Sequence, residues 1–197
     1  MLLCIVLAQP AWADLAAGWR AYEKGDYAAA LKEWRPLAEQ GEANAQYGLG
    51  VSYATGQGVP QDYTEAARWL RKAADQGYAH AQINLGLMCA EGKGVPQDDA
   101  EAVLWYRKAA DQGHAAAQSK LGDMCHRGQG VPQDYVEAHM WFDLAASRAS
   151  GGGQKIFADM RELVVKKMAA QQNAEAQRRA REWKPKSGAN KSGRPMK

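Results

Sequence analysis

Between Ala43 and Ser150 the chain repeats itself every 36 residues, as units 43–78, 79–114 and 115–150. Sixteen of the thirty-six columns hold one residue type in all three units, among them Leu49/Leu85/Leu121, Gly56/Gly92/Gly128, Asp62/Asp98/Asp134 and Trp69/Trp105/Trp141. A unit this short cannot bury an apolar face alone. Self-similarity at this period therefore calls for a stack in which each unit covers the next, a solenoid.

Each unit reads as two helices joined by a glycine turn. Ala45, Leu49 and Tyr53 fall at i, i+4, i+8, one stripe of a helix, and the stripe recurs as Ala81, Leu85, Cys89 and as Ala117, Leu121, Cys125. The run Gly56-Gln57-Gly58-Val59-Pro60 stops that helix, because its glycines accept φ > 0 and its proline lacks an N–H. Asp62 with Glu65 three residues on predicts a capping box. The Asp accepts from free amides, the Glu reaches back to the cap, and a second helix starts at Asp62. Ala66, Trp69, Leu70 and Ala73 give that helix an i, i+3, i+4, i+7 face, and Gly77 permits its end.

The unit A-x-A-Q-x-x-L-G-x-x-x-x-x-G-x-G-V-P-Q-D-x-x-E-A-x-x-W-x-x-x-A-A resembles the Sel-one-like repeat (SLR), a relative of the tetratricopeptide repeat with a longer inter-helix turn. The resemblance covers three full units. It extends weakly upstream, where Gly25-Asp26-Tyr27, Ala30, Gln40 and Gly41 align at minus 36 except that Gly25 takes the place of Gln61, but Tyr22 to Asp26 is five residues shorter than Tyr53 to Asp62. Residues 14–42 thus read as a tetratricopeptide-like N-terminal cap. Downstream, 151–183 reads as C-terminal capping helices, Gln154 to Met168 and Ala169 to Trp183, entered through a flexible Ser150-Gly151-Gly152-Gly153 turn.

The resemblance implies an all-α fold, a right-handed α/α superhelical solenoid of helix-turn-helix repeats. Neighbours in such a stack share a core, so one structural unit is expected. A 46% hydrophobic composition agrees with that reading. The tryptophans serve packing rather than chemistry, and Trp105→Ala is expected to cost about 3–5 kcal/mol.

Residues 1–13 read as a signal peptide. Leu2 to Ala8 is apolar, Pro10 breaks the run, and Ala11-Trp12-Ala13 places small residues at −3 and −1 of a cleavage site before Asp14. The run is too short to span a bilayer. No basic segment precedes it, which leaves room for a start upstream of Met1. The expected location is periplasmic or secreted. Cys4 follows too short an apolar stretch for a lipid-attachment site. Cys89 and Cys125 share one column of adjacent units, about 8–10 Å apart at helix-packing distance, beyond the ~7 Å disulfide limit, and read as small buried hydrophobes.

No catalytic residue, metal site or cofactor emerges. His80, His114, His126 and His139 occupy four different repeat columns and form no metal-binding spacing. Cys125 and His126 diverge by about 100° on a helix. Some cysteine-rich members of the family the chain resembles are β-lactamases, so a hydrolase acting on β-lactam or cell-wall substrates is the alternative function. S-x-x-K is missing, however, and Lys186-Ser187-Gly188 and Lys191-Ser192-Gly193 only mimic K-[ST]-G.

The architecture favours a non-catalytic scaffold or adaptor for a protein or peptide, bound on a concave wall of first helices. Four first-helix columns spaced i, i+3, i+7, i+11 differ among all three units: Asn44/His80/Ala116, Tyr47/Ile83/Ser119, Val51/Leu87/Asp123 and Thr55/Glu91/Arg127. Unconstrained solvent positions would vary in the same way. Tyr47, Ile83 and Leu87, apolar on an otherwise exposed stripe, favour a groove. The partner-binding candidates are therefore Asn44, Tyr47, Val51, His80, Ile83, Leu87, Glu91, Ser119, Asp123 and Arg127.

From Lys166 to Lys197 ten Lys/Arg face two Glu, a net +8, so the formal +3 of the whole leaves −5 on residues 1–165. The tail 184–197 lacks apolar periodicity and is expected to be disordered. It reads either as a solvated end or as weakly attracted to anionic surfaces; without aromatic interleaving no nucleic-acid partner is expected. The chain is expected to be a monomer.

Overall fold

The computed structural model describes residues 14–186. Among them lie ten helices and no strand: α1 Leu15–Glu23, α2 Tyr27–Glu39, α3 Ala43–Thr55, α4 Tyr63–Asp75, α5 Ala79–Glu91, α6 Asp99–Asp111, α7 Ala115–Arg127, α8 Tyr135–Arg148, α9 Gly152–Val165 and α10 Ala170–Glu182. Repeats 1 to 3 are the hairpins α3–α4, α5–α6 and α7–α8, and the fold is an all-α solenoid of helix-turn-helix units. The chain divides after Ala73 into two compact bodies instead of the single unit expected. Stacked hairpins touch only their neighbours, so nothing in such an array requires one common core.

In the N-terminal body, α1 and α2 form a hairpin through a short turn with Gly25 at φ +80. Its core is aromatic. Trp34 is fully buried, with its ring 4.5 Å from Trp19 and 5.5 Å from Tyr22. Two glycines make room for the indole, since a Cβ would stand 2.3 Å from Trp34 Nε1 at Gly18 and 2.7 Å from Trp34 Cε3 at Gly48. Repeat 1 closes over this cluster with Ala45, Leu49 and Trp69.

The C-terminal body is built on the predicted stripes. Ala81, Leu85 and Cys89 are wholly buried, as are Ala117, Leu121 and Cys125. The invariant glycine after each leucine admits a large side chain from the second helix. A Cβ on Gly86 would lie 2.9 Å from Tyr106, and one on Gly122 would lie 3.0 Å from Phe142.

The second helices begin as capped helices, but only half of the predicted box forms. Asp62 accepts from the Thr64 and Glu65 amides at 2.9 and 3.0 Å, Asp98 from Glu101 N at 2.9 Å, and Asp134 from Val136 and Glu137 N. The glutamates turn forward instead of back. The Trp105 and Trp141 indoles each donate to the glutamate four residues earlier, Glu101 and Glu137, at 3.1 Å, while Glu65 pairs with Arg68. The cap amides already have acceptors, since Asp62, Asp98 and Asp134 N–H donate to the Tyr53, Cys89 and Cys125 carbonyls at 3.0, 2.9 and 3.0 Å, whereas a buried indole N–H without an acceptor is costly.

The C-terminal boundaries also shift. α9 starts at Gly152, so the turn reduces to Ser150-Gly151 with Gly151 at φ +59, and it ends at Val165 rather than Met168. Lys184 to Lys186, assigned to a disordered tail, are tied down: Lys186 N–H donates to the Asp111 carbonyl at 2.7 Å and its Nζ meets Asp111 Oδ2 at 2.7 Å. The signal-peptide residues 1–13 and the tail from Ser187 on lie outside the described residues.

Candidate protein-binding site

The variable stripe does not share one environment. In the N-terminal body, Asn44, Tyr47 and Val51 are half-buried, and the Tyr47 ring lies 6.2 Å from that of Trp19. Tyr47 is therefore part of the aromatic packing. In repeat 3, Ser119 is only 8% exposed and its hydroxyl lies 3.8 Å from Met160 Sδ on α9, so the capping helix takes it away from any partner.

Repeat 2 and the adjoining part of repeat 3 keep an open stripe. Leu87 is 38% exposed, Glu91 one turn on is exposed, and Ile83 one turn before is half-buried. Leu87, Glu91 and Asp123 line one cleft of about 230 Å³ together with Asp99, Lys120, Tyr106 and Met124. Tyr106, Met124 and Leu87 give it an apolar floor under a mixed charged rim. Asp123 also borders a second cleft of about 210 Å³, walled by Phe142, Met160, Leu163 and Val164, with Arg127 bound to Asp123 at 2.9 Å. Both volumes fall below the ~300–1,000 Å³ of small-molecule sites and suit single side chains of a polypeptide.

The apolar surface continues onto α9, where sequence reasoning had not looked. Ile156 and Leu163 are each 59% exposed, and with Met160 they stand at i, i+4, i+7. That spacing was available as a signal.

His80 and His114, far apart in the repeat alignment, meet edge to face at 5.3 Å, one on the first turn of α5 and the other at the N-cap of α7. Burial pushes both below the ordinary histidine value. Among the described residues no cluster of three or more His, Cys, Asp or Glu could hold a metal ion.

Nothing marks Cys125 as a nucleophile. Burial pushes its thiol up to about 12, the opposite of an activated cysteine. Cys89 and Cys125 are both buried and are not joined in a disulfide.

The invariant glutamine of each repeat, unexplained by the sequence, is the joint between hairpins. Its side-chain amide is buried and donates to the carbonyl eight residues back, near the end of the preceding second helix: Gln46 to Ala38 at 3.1 Å, Gln82 to Ala74 at 3.0 Å and Gln118 to Ala110 at 3.2 Å. Gln112 in turn donates to Gln82 Oε1 at 2.9 Å.

The Sel1 repeat model matches residues 43–78, 79–114 and 115–150, the same three units that the period defines. The chain belongs to the Sel1 repeat family. Sel1 repeat proteins are generally protein-interaction scaffolds, and the fold is typically non-enzymatic. Among solved structures, the chain is similar to a Sel1 repeat protein from Oxalobacter formigenes, with 38% identity over 68% of this chain and 54% of that one and a TM-score of 0.66. It is also similar to a protective antigen of uropathogenic Escherichia coli that displays an SLR fold, with 30% identity over 87% of this chain and 45% of that one and a TM-score of 0.59. The chain thus spans about half the length of these two Sel1 proteins. No curated protein matches it significantly.

Proposed function

We propose that this Sel1 repeat protein is a non-catalytic scaffold of the cell envelope that binds an extended or helical segment of a partner protein along α5, α7 and α9. The carrying observation is the pair of adjoining clefts that share Asp123, with Leu87, Tyr106 and Met124 flooring one and Met160 and Leu163 walling the other. Apolar anchors of a partner fill such clefts while the charged rim sets orientation. Affinity capture with the purified chain, followed by mass spectrometry, identifies the partner. Leu87→Glu is expected to lose the captured protein while helicity and melting temperature stay unchanged. Retention of the partner by the folded variant would place binding elsewhere. Nitrocefin turnover by the purified chain would support the hydrolase alternative instead.

Export is part of the same proposal. Asp14, the first residue after Ala11-Trp12-Ala13, is the N-cap of α1 and accepts from Ala16 N at 2.8 Å. Its own backbone nitrogen lies 2.8 Å from Glu33 Oε2. Cleavage after Ala13 turns that nitrogen into an ammonium ion already facing a carboxylate, which strengthens the contact. Intact mass of the protein from fractionated cells checks this. An N-terminus at Asp14 in the periplasmic or secreted fraction is expected, and an uncut cytosolic chain refutes it.

A further inference from the structure

In the C-terminal body the chain packs its own residues 183–186 back against repeats 2 and 3. After α10 the backbone leaves the helix at Trp183 with φ −66 and ψ 136, and Pro185 keeps Lys184 extended. Trp183 sits edge-on to Trp141 at 6.2 Å, and the Arg148 guanidinium lies over its ring at 4.5 Å. Three residues on, Lys186 bonds Asp111 through both its backbone N–H and its ammonium group. Trp183 therefore reads repeat 3 and Lys186 reads repeat 2. Three residues of polyproline-like chain rise about 9 Å, close to the 8–10 Å between packed helices.

Asp111 is the last residue of α6, where a carboxylate opposes the helix dipole and calls for a cation. The site is also purpose-built at Arg148. The same column in repeat 2 holds Gln112, whose amide satisfies Gln82 Oε1. Arg148 stacks on Trp183 instead, and Gln118 Oε1, fully buried, is left with no donor. Arg148 also donates through Nη1 to the Leu144 carbonyl and to Ser147 Oγ, each at 3.3 Å, which holds its guanidinium over Trp183.

Gly113 lies under the strap of residues 183–186, since a Cβ there would stand 3.5 Å from Arg148 Nε, 3.8 Å from the Trp183 ring and 3.9 Å from Pro185. We infer that the surface made by Asp111, Gly113, Trp141 and Arg148 is a docking site for an extended aromatic-x-x-Lys segment. Trp183–Lys186 is its self-ligand, and a partner's segment of the same chemistry exchanges with it. This stands apart from the α5–α7–α9 proposal and shares no residue with those clefts. A tethered segment competes at millimolar effective concentration, so the site stays closed to weak ligands until the strap is released.

The test uses the full chain and a synthetic peptide of residues 181–188, followed by NMR at the Gly113 amide and the Trp141 indole N–H. In Trp183→Ala/Lys186→Ala the peptide is expected to produce saturable shifts with an apparent affinity at least tenfold above that for the unmutated chain, and adding Asp111→Asn is expected to remove them. Independently, Arg148→Gln, which restores the repeat-2 residue, is expected to lower hydrogen-exchange protection of the Lys186 amide at least tenfold. Equal titration of the two chains, no saturable shift in a folded double variant, or unchanged Lys186 protection in Arg148→Gln would each overturn the inference.

Discussion

The N-terminal hairpin α1–α2 and the three repeats fill the same hairpin geometry from opposite sides. In the repeats, a leucine on the first helix, Leu49, Leu85 or Leu121, is matched by Leu70, Tyr106 or Phe142 on the second. Counting back from Tyr22 as the counterpart of Tyr53, the N-terminal hairpin has Gly18 in the leucine column and Trp34 in the column of Leu70, Tyr106 and Phe142. Volume removed from one helix is returned on the other. The comparison teaches that the two columns share one space, so that a glycine on the first helix makes room for a tryptophan on the second, as close packing requires.

The sharpest way to break that comparison is Trp34→Ala, expected to cost about 3–5 kcal/mol, the range for truncating a buried aromatic. Hydrogen exchange should report the loss in residues 15–55, with residues 79–145 keeping most of their protection; equal loss in both would show that the bodies melt as one. Next in size is the exchange of volumes itself. Gly18→Leu drives a side chain into the Trp34 ring, but in a Trp34→Leu background it should cost less, by a coupling of about 1–3 kcal/mol from a double-mutant cycle in denaturant. Additive costs would mean the columns are independent.

A smaller difference comes from titration. All four histidines lie in the C-terminal body. Burial holds His80, His114 and His139 below the usual histidine value in the folded chain. The unfolded chain then binds protons first, so this contribution is present above pH ~6.5 and is lost as pH falls below it. Between pH 7.5 and 5.5 exchange protection should decline in the C-terminal body and stay level in the N-terminal one. A parallel decline would assign the effect to something other than these imidazoles. The smallest effect on stability is that of Leu87→Glu, within about ±0.5 kcal/mol by thermal melting, since the side chain lies on an open stripe. A larger loss would make Leu87 part of the core.

The fold was legible because its signals are local and threefold. Stripes such as Ala81-Leu85-Cys89 and caps such as Asp98 need only helical spacing to be recognised. The joints were not legible. Gln46, Gln82 and Gln118 were plainly invariant, yet their acceptors lie across a turn on another helix, and no spacing rule names a backbone carbonyl as a partner. The same holds for His80 with His114, which only stacking brings together. Of the candidate site, the sequence named the variable stripe, on which Leu87 and Glu91 lie exposed. It could not foresee that Trp19 packs on Tyr47 or that α9 covers Ser119, because both depend on neighbours outside the periodic region. The capping glutamates misled for a related reason, as the cap amides already donate to carbonyls at the end of the first helix and leave Glu101 and Glu137 to the indoles four residues on.

The unequal amide joints bear on how such a chain can lengthen. A tandem duplication of residues 79–114 would insert a unit that brings Gln82 as acceptor and Gln112 as donor, so both new seams close with the bonds already in use. A duplication of residues 115–150 would bring Arg148 into an internal seam beside a Gln118 oxygen that has no donor. Growth by repeat 2 therefore adds a joint that is already closed, while growth by repeat 3 adds a second unserved oxygen.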